Sequence, residues 1–161
     1  MRLAMSEMLR PLHPNQKTLL RVRGAIAAAV LIVLGLAADS ILARNGVLPF
    51  GAIIGGAFVL AALAAFVLPP RRYRAWGYRM DEDELRIGSG LLIRTEAIVP
   101  FGRVQHIDIV RGPLQRHYGL GSLVLHTAGT RAASMLLPGL EITEAERMRD
   151  HIRSKIREDL V

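Results

Sequence analysis

The chain has 161 residues, no cysteine, 51% hydrophobic residues and a net charge of +7. That length suits one globular unit plus membrane segments, and the lack of cysteine excludes disulfide scaffolds, thiol catalysis and cysteine-based zinc sites. The charge is unevenly spread: residues 1–80 carry ten Lys/Arg and two acids, Glu7 and Asp39, whereas residues 81–161 carry eleven Lys/Arg and twelve acids. The excess is therefore +8 over the first part and −1 over the second, which argues against a nucleic-acid partner because the second part has no basic stripe.

The first part contains two long apolar runs. Residues 24–38 hold no charge, and apolar character resumes after Asp39 and Ser40 as far as Ala43. Fifteen helical residues rise only about 22 Å against a hydrocarbon core of about 30 Å, so the span needs residues 24–43. The second run, residues 47–68, has no charged side chain and holds Pro49 in its first turn, where proline is tolerated. Arg44, Asn45 and Gly46 form the short turn of an expected antiparallel hairpin. A cleaved signal peptide, with Gly35 and Ala37 as small residues near a cleavage point, fits less well, because the lead is long and a second span follows directly.

Arg10, Lys17, Arg21 and Arg23 precede the first span, Arg71, Arg72, Arg74 and Arg79 follow the second, and Arg44 alone lies between them. The positive-inside rule then places both termini in the cytoplasm of a multi-pass cell-membrane protein. The expected organisation is a cytoplasmic segment 1–23, membrane helices 24–43 and 47–68, and a cytoplasmic domain 75–159. Small residues at Gly24 and Ala28, Ala25 and Ala29, and Gly51 and Gly55 have the spacing of close helix contacts in lipid. They are expected to pack the hairpin, with homo-oligomer formation as their second use.

Beyond Arg74 the pattern is one of short strands. Residues 75–80 alternate large and polar side chains, Asp81-Glu82-Asp83-Glu84 makes a turn, residues 85–87 resume a strand, and Gly88-Ser89-Gly90 signals a hairpin. Residues 91–99 read as a third strand ended by Pro100. Residues 104–110 form a fourth, whose apolar phase slips between Val104 and Ile107, predicting a bulge at Gln105 and His106. Residues 121–127 and 132–137 supply two more, joined by Ala128-Gly129-Thr130. Ile142, Ala145, Met148, Ile152, Ile156 and Leu160 then draw one apolar stripe along a helix, with Thr143 and Glu146 as a capping box. The fold class expected is a membrane α-helical hairpin followed by an α+β domain: an antiparallel barrel or sheet of about six to seven strands capped by a C-terminal amphipathic helix. In the Gly112-Pro113-Leu114-Gln115 segment, Gly112 is expected to relax the backbone, Pro113 to open a helical turn, Gly119 and Gly121 to permit a reversal, and Leu114 and Leu120 to cap the barrel.

The order of several motifs carries a resemblance. Tyr78-Arg79-Met80 before an acidic turn, LRIGSGLL at residues 85–92, Ile98-Val99-Pro100 and Arg103-Val104-Gln105-His106-Ile107-Asp108 come first. Gly112-Pro113-Leu114-Gln115-Arg116-His117-Tyr118-Gly119-Leu120-Gly121 and Leu136-Leu137-Pro138-Gly139-Leu140 follow. Together with Leu12-His13-Pro14 and two preceding helices, residues 10–158 resemble the bacterial PH-like domain family of small YdbS-type membrane proteins. The resemblance implies a PH-like domain on a membrane hairpin, a larger relative as companion, and a link to envelope functions.

The five histidines form no metal-ligand spacing, the serines sit in no nucleophile elbow, and the glycines follow neither dinucleotide nor phosphate-loop patterns. No catalytic residue, metal or cofactor is therefore expected. The candidate partner contacts are Arg103, Gln105, His106, Gln115 and Arg116, and the candidate lipid-headgroup contacts are Arg71, Arg72 and Arg74. Four acids in the first hairpin loop oppose phosphoinositide binding there. Two functions follow as expectations: docking of a membrane protein with a similar domain, or, as the alternative, an anionic-lipid-sensing module.

Overall fold

Residues 9–46, 49, 51–127 and 134–158 are described by the structure, a computed structural model of the chain. They fall into two compact units: Lys17–Tyr73, and Met1–Gln16 together with Arg74–Val161. The expected turn at Ala128, Gly129 and Thr130 and the last stripe residue, Leu160, lie outside the described residues.

The first unit is built from apolar helices. Helix α1 spans Pro14–Arg44, and a continuous helical stretch, Ala52–Arg74, is made of α2 (Ala52–Ala62), a π-helical turn (Leu63–Val67) and α3 (Leu68–Arg74). Pro69 and Pro70 explain the wider turn. Neither can donate an amide to the preceding turn, and each ring crowds the carbonyl four residues back, a clash that a wider turn relieves. Close packing does come from small residues, at one pair the spacing suggested, Gly24 and the buried Ala28, and at one position it did not, Gly35. A side chain at Gly24 would meet the backbone carbonyl of Ala64, and one at Gly35 would come within 2.5 Å of Ala57 Cβ. Gly51 and Gly55 face open space, and Gly51, at φ +95°, instead turns the chain into α2.

Asp39 is the acid that interrupts the first apolar run, and the structure gives it a reason. It is 3% exposed, and its two carboxylate oxygens accept hydrogen bonds from the amides of Gly51 (2.8 Å) and Ile53 (3.0 Å). These are amides at a helix start, which have no partner within the helix itself. A carboxylate at that end also meets the positive pole of the helix dipole.

The second unit contains two antiparallel sheets. Strands β1 (Arg10–Pro11), β2 (Gly77–Met80), β3 (Glu84–Ser89) and β4 (Thr95–Pro100) form one in the order β1-β2-β3-β4. Strands β5 (Val104–Val110), β6 (Leu120–Thr127) and β7 (Ser134–Glu141) form the other in the order β5-β6-β7. Helix α4 (Pro113–His117) connects β5 to β6, and α5 (Ile142–Glu158) follows β7 without a break. This is the expected class, with seven strands among the described residues and a C-terminal helix. Alternation places Leu85 and Ile87 of β3 inward, and the helical stripe places Ala145, Met148 and Ile152 of α5 inward. Phe101, Leu120, Leu123, Leu125, Leu137 and Leu140 complete the core.

Several local expectations need correction. The third strand begins at Thr95, not at residue 91: Ser89 pairs with Thr95, and Gly90 at φ +125° turns the chain so that residues 91–94 form a loop. A side chain on Gly90 would collide with the Ile93 carbonyl, so only glycine closes this turn. Thr143 lies inside α5, whose first amide, Ile142 N, donates to Gly119 O at 3.1 Å, so that carbonyl and not a threonine hydroxyl meets the helix start. Gly112 has an ordinary φ of −77°, whereas Gly119 at φ +68° does supply the reversal. Leu120 is fully buried as a barrel-end residue should be, but Leu114 is only half-buried.

The N-terminal segment also does more than precede a helix. Arg10 pairs with Tyr78 and Pro11 with Gly77, which extends the first sheet, and Leu12 is buried. Leu9 lies over Gly77 and Gly88, where a side chain on Gly88 would approach its Cδ1 to 2.7 Å. These two glycines are thus the floor of a leucine contact.

Candidate functional site

The bulge expected on β5 is present: the register with β6 shifts between Val104 and His106. One extra residue at this point turns Gln105 and His106 outward in succession while Val104 stays buried. Arg103, from the short 3-10 turn Phe101–Arg103, is exposed beside them. Strand β5 lies at one edge of the three-stranded sheet, so these three side chains flank a strand edge.

Alternation carries the pattern onward to a residue that sequence reasoning missed. Asp108 sits two positions after His106 on the same face, and His126 is the cross-strand partner of His106. His106 Nε2 lies 2.9 Å from Asp108 Oδ1, and His126 Nε2 lies 3.3 Å from Asp108 Oδ2. The imidazole centroids are 5.9 Å apart. One carboxylate thus bridges two imidazoles, each nitrogen aimed at its own oxygen. Among the described residues no group of three or more His, Asp or Glu side chains is arranged to hold a metal ion. The H-x-D spacing on a predicted strand was the available signal, and His126 could be found only from the strand register.

Gln115 and Arg116 do not join this surface. Strand β5 spans about 20 Å from Val104 to Val110, and α4 follows its far end. Gln115 is 8% exposed; its Nε2 donates to Ser122 Oγ (2.8 Å) and its Oε1 accepts from Gly112 N (2.9 Å). With both ends engaged it ties α4 to β6 and presents nothing to a partner. Arg116 is exposed at that far end. Arg71 and Arg72, in the last turn of α3, and Arg74 at its end are all exposed.

A cleft of about 570 Å³ opens between the end of β2 and α5, lined by Met80, Asp81, Glu82, Glu144, Arg147 and Met148 among others. Beside it the Tyr78 hydroxyl donates to Glu144 Oε1 at 2.7 Å. Burial, and then the bond to Glu144 and its charge, push the Tyr78 phenol well above its ordinary range. A phenol held neutral in this way acts as a hydrogen-bond donor that pins α5 to β2, not as a base.

Residues 19–156 match the family described as Bacterial PH domain. The chain is 38% identical over 101 residues to the UPF0699 transmembrane protein YdbS of Bacillus subtilis (strain 168), a stretch covering 62% of each protein. It is 30% identical over 107 residues to the UPF0699 transmembrane protein YdbT of the same organism, covering 66% of this chain and 21% of that one. The match therefore spans about three fifths of the first relative and about a fifth of the second. No solved structure matches. Its relatives are transmembrane proteins and its own helices α1 and Ala52–Arg74 are long and apolar enough to cross a bilayer, so this is a membrane protein. With sheets, C-terminal helix and sequence in agreement, the chain belongs to the bacterial PH domain family.

Proposed function

We propose that this protein is a non-enzymatic membrane adaptor whose PH domain, on the cytoplasmic side with both termini, docks another membrane protein that carries the same kind of domain, within an envelope-related complex. The observation that supports this reading best is the β5 edge. An edge strand offers unpaired backbone groups to an incoming strand, and a bulge flanked by exposed polar residues limits which strand can add. Arg103, Gln105 and His106 are the contacts on this reading, with Asp108 and His126 as their immediate neighbours. The similarity to a segment of the longer YdbT supports a partner of the same kind. Arg71, Arg72 and Arg74 serve the bilayer: each basic residue near an anionic surface contributes about 1 kcal/mol, which suits anchoring and topology.

Because the chain has no cysteine, Gln105→Cys gives a single crosslinking position in intact membranes. The expected result is an adduct with a membrane protein containing a PH domain, absent for Arg116→Cys. Recovery of the protein alone and monomeric, from both crosslinking and mild-detergent purification, overturns the reading. A topology reporter after Val161 should report the cytoplasm; an extracytoplasmic signal overturns the orientation.

A further inference from the structure

Among the described residues, the most exposed apolar segment of the sheet unit is the loop between β3 and β4. Leu91, Leu92 and Ile93 are 45%, 96% and 82% exposed, and Arg94 beside them is exposed too. Three consecutive apolar side chains in water have no structural use, and a tight glycine turn at Gly90 holds them out. The loop lies at the tip of the β3–β4 hairpin.

The register of the sheet says what lies near that tip. Gly77 pairs with Gly88 and Pro11 with Gly77, so the end of the sheet bearing the loop is also where the chain arrives from Arg74 and departs through Leu12 towards α1. Both connections to the apolar helices leave from the loop's end of the sheet. The acidic turn, Asp81 to Glu84, lies at the other end of β3, about 17 Å away. At the loop end Arg94 is exposed, whereas at the opposite end the acids are met by Arg79, which pairs with Asp81, by Arg86, which pairs with Asp81 and Glu84, and by Lys155, which pairs with Asp83.

We propose that the apolar tip formed by Leu91, Leu92 and Ile93, with Arg94 beside it, inserts into the headgroup region of the bilayer that holds the chain's own helices, seating this end of the sheet on lipid. The proposal rests on α1 and α2 being membrane-embedded. Apolar side chains next to a basic one match the interfacial zone, where hydrocarbon and anionic headgroups meet. Tethering by the helices keeps the tip close to the lipid, so a few side chains suffice for occupancy.

The absence of cysteine makes the test direct. Leu92→Cys and Ile93→Cys, each carrying one environment-sensitive fluorophore, are placed in the full chain in phosphatidylethanolamine–phosphatidylglycerol nanodiscs. Glu82→Cys and Phe58→Cys serve as controls in the acidic turn and in α2. The expected result is blue-shifted emission at residues 92 and 93 that loses most of its intensity when the lipid carries a spin label near the headgroup, with little loss at residue 82. Water-like emission at both tip positions, quenched by iodide and not by lipid, overturns the proposal. So does blue-shifted emission that ignores lipid quenchers, which would assign the tip to a protein partner. A probe at residue 58 left unquenched when the spin label is moved to the middle of the acyl chain would instead break the membrane reading of α2, on which the proposal rests.

Discussion

In the sheet unit Leu123, Leu125 and Ile152 are 1% exposed or less, whereas in the apolar helices Val33, Leu34 and Phe66 are 65%, 60% and 79% exposed. The residue types are the same and their solvent is not. In water, leucine goes inward and polar groups come out; in hydrocarbon there is no such preference, and small residues decide which faces touch. The sheet unit is therefore held by apolar side chains filling a core, and the helical unit by Gly24 and Gly35 admitting a neighbouring backbone or methyl group. Among the described residues of the sheet unit, Leu92 and Ile93 depart furthest from that rule, well beyond the exposed strand residues Ile98, Val110 and Leu136.

The largest contrast should come from truncating matched side chains. Leu123→Ala removes buried volume from the sheet core and should cost about 2–5 kcal/mol. Phe66→Ala, on an exposed helix face, should cost less than about 0.5 kcal/mol. Denaturation of the full chain in detergent, followed by circular dichroism, separates the two, and equal losses would erase the distinction between the units. Next is Gly24→Leu, which drives a side chain into the Ala64 carbonyl and should cost about 1–3 kcal/mol as an overpacked contact. Gly55→Leu, facing open space, should be close to neutral. Similar effects at both positions would mean that spacing, not contact, selects the packing glycines.

A smaller effect is expected at Tyr78. Loss of its hydrogen bond to Glu144 in Tyr78→Phe should cost about 1 kcal/mol near neutral pH, after allowing for its partly screened partner. The sign with pH is fixed by the direction of the shift. The folded phenol titrates above the free value of 10.0, so its contribution is whole below that pH and is lost as pH rises through the folded pKa. Thermal melts should show the wild type losing more stability than Tyr78→Phe in alkali; parallel curves would remove the assignment. The most local effect is Asp39→Asn, which keeps one carbonyl acceptor in place of two carboxylate oxygens. Hydrogen exchange should quicken at the Gly51 and Ile53 amides while the sheet unit stays unchanged.

Legibility in the sequence followed the length over which a pattern repeats. The stripe from Ile142 to Ile156 repeats over four turns, and Ala145, Met148 and Ile152 are buried as it required. The β5 bulge was readable because a phase slip interrupts an alternation long enough to define a phase. Strand β1 was not, since two residues carry no period and Arg10 and Pro11 pair with residues 66 or more positions away. The loop at residues 91–94 reads as strand in the sequence because its leucines and isoleucine have the composition of one. The glycine pair around Ser89 marks a turn, but only the pairing of Ser89 with Thr95 shows that the turn runs on through residue 94. Gln115 looked like a surface contact because glutamine usually is one, and its inward turn depends on Ser122, seven residues on.

Composition and charge order, which need no contacts, were enough to show two apolar segments, a near-neutral domain after them and a strand-rich pattern closed by a helix. Those properties are sums and periods along the chain, and burial of apolar surface enforces them whatever the detailed packing. What only the tertiary structure decided are pairings between distant residues: Asp39 on the start of α2, Asp108 between His106 and His126, Tyr78 on Glu144, and the sheet end shared by the apolar tip and the helix connections. Each depends on which distant segments meet, and in the strands a one-residue slip, to which composition is blind, would send His106, Asp108, His126 and Tyr78 to the opposite face.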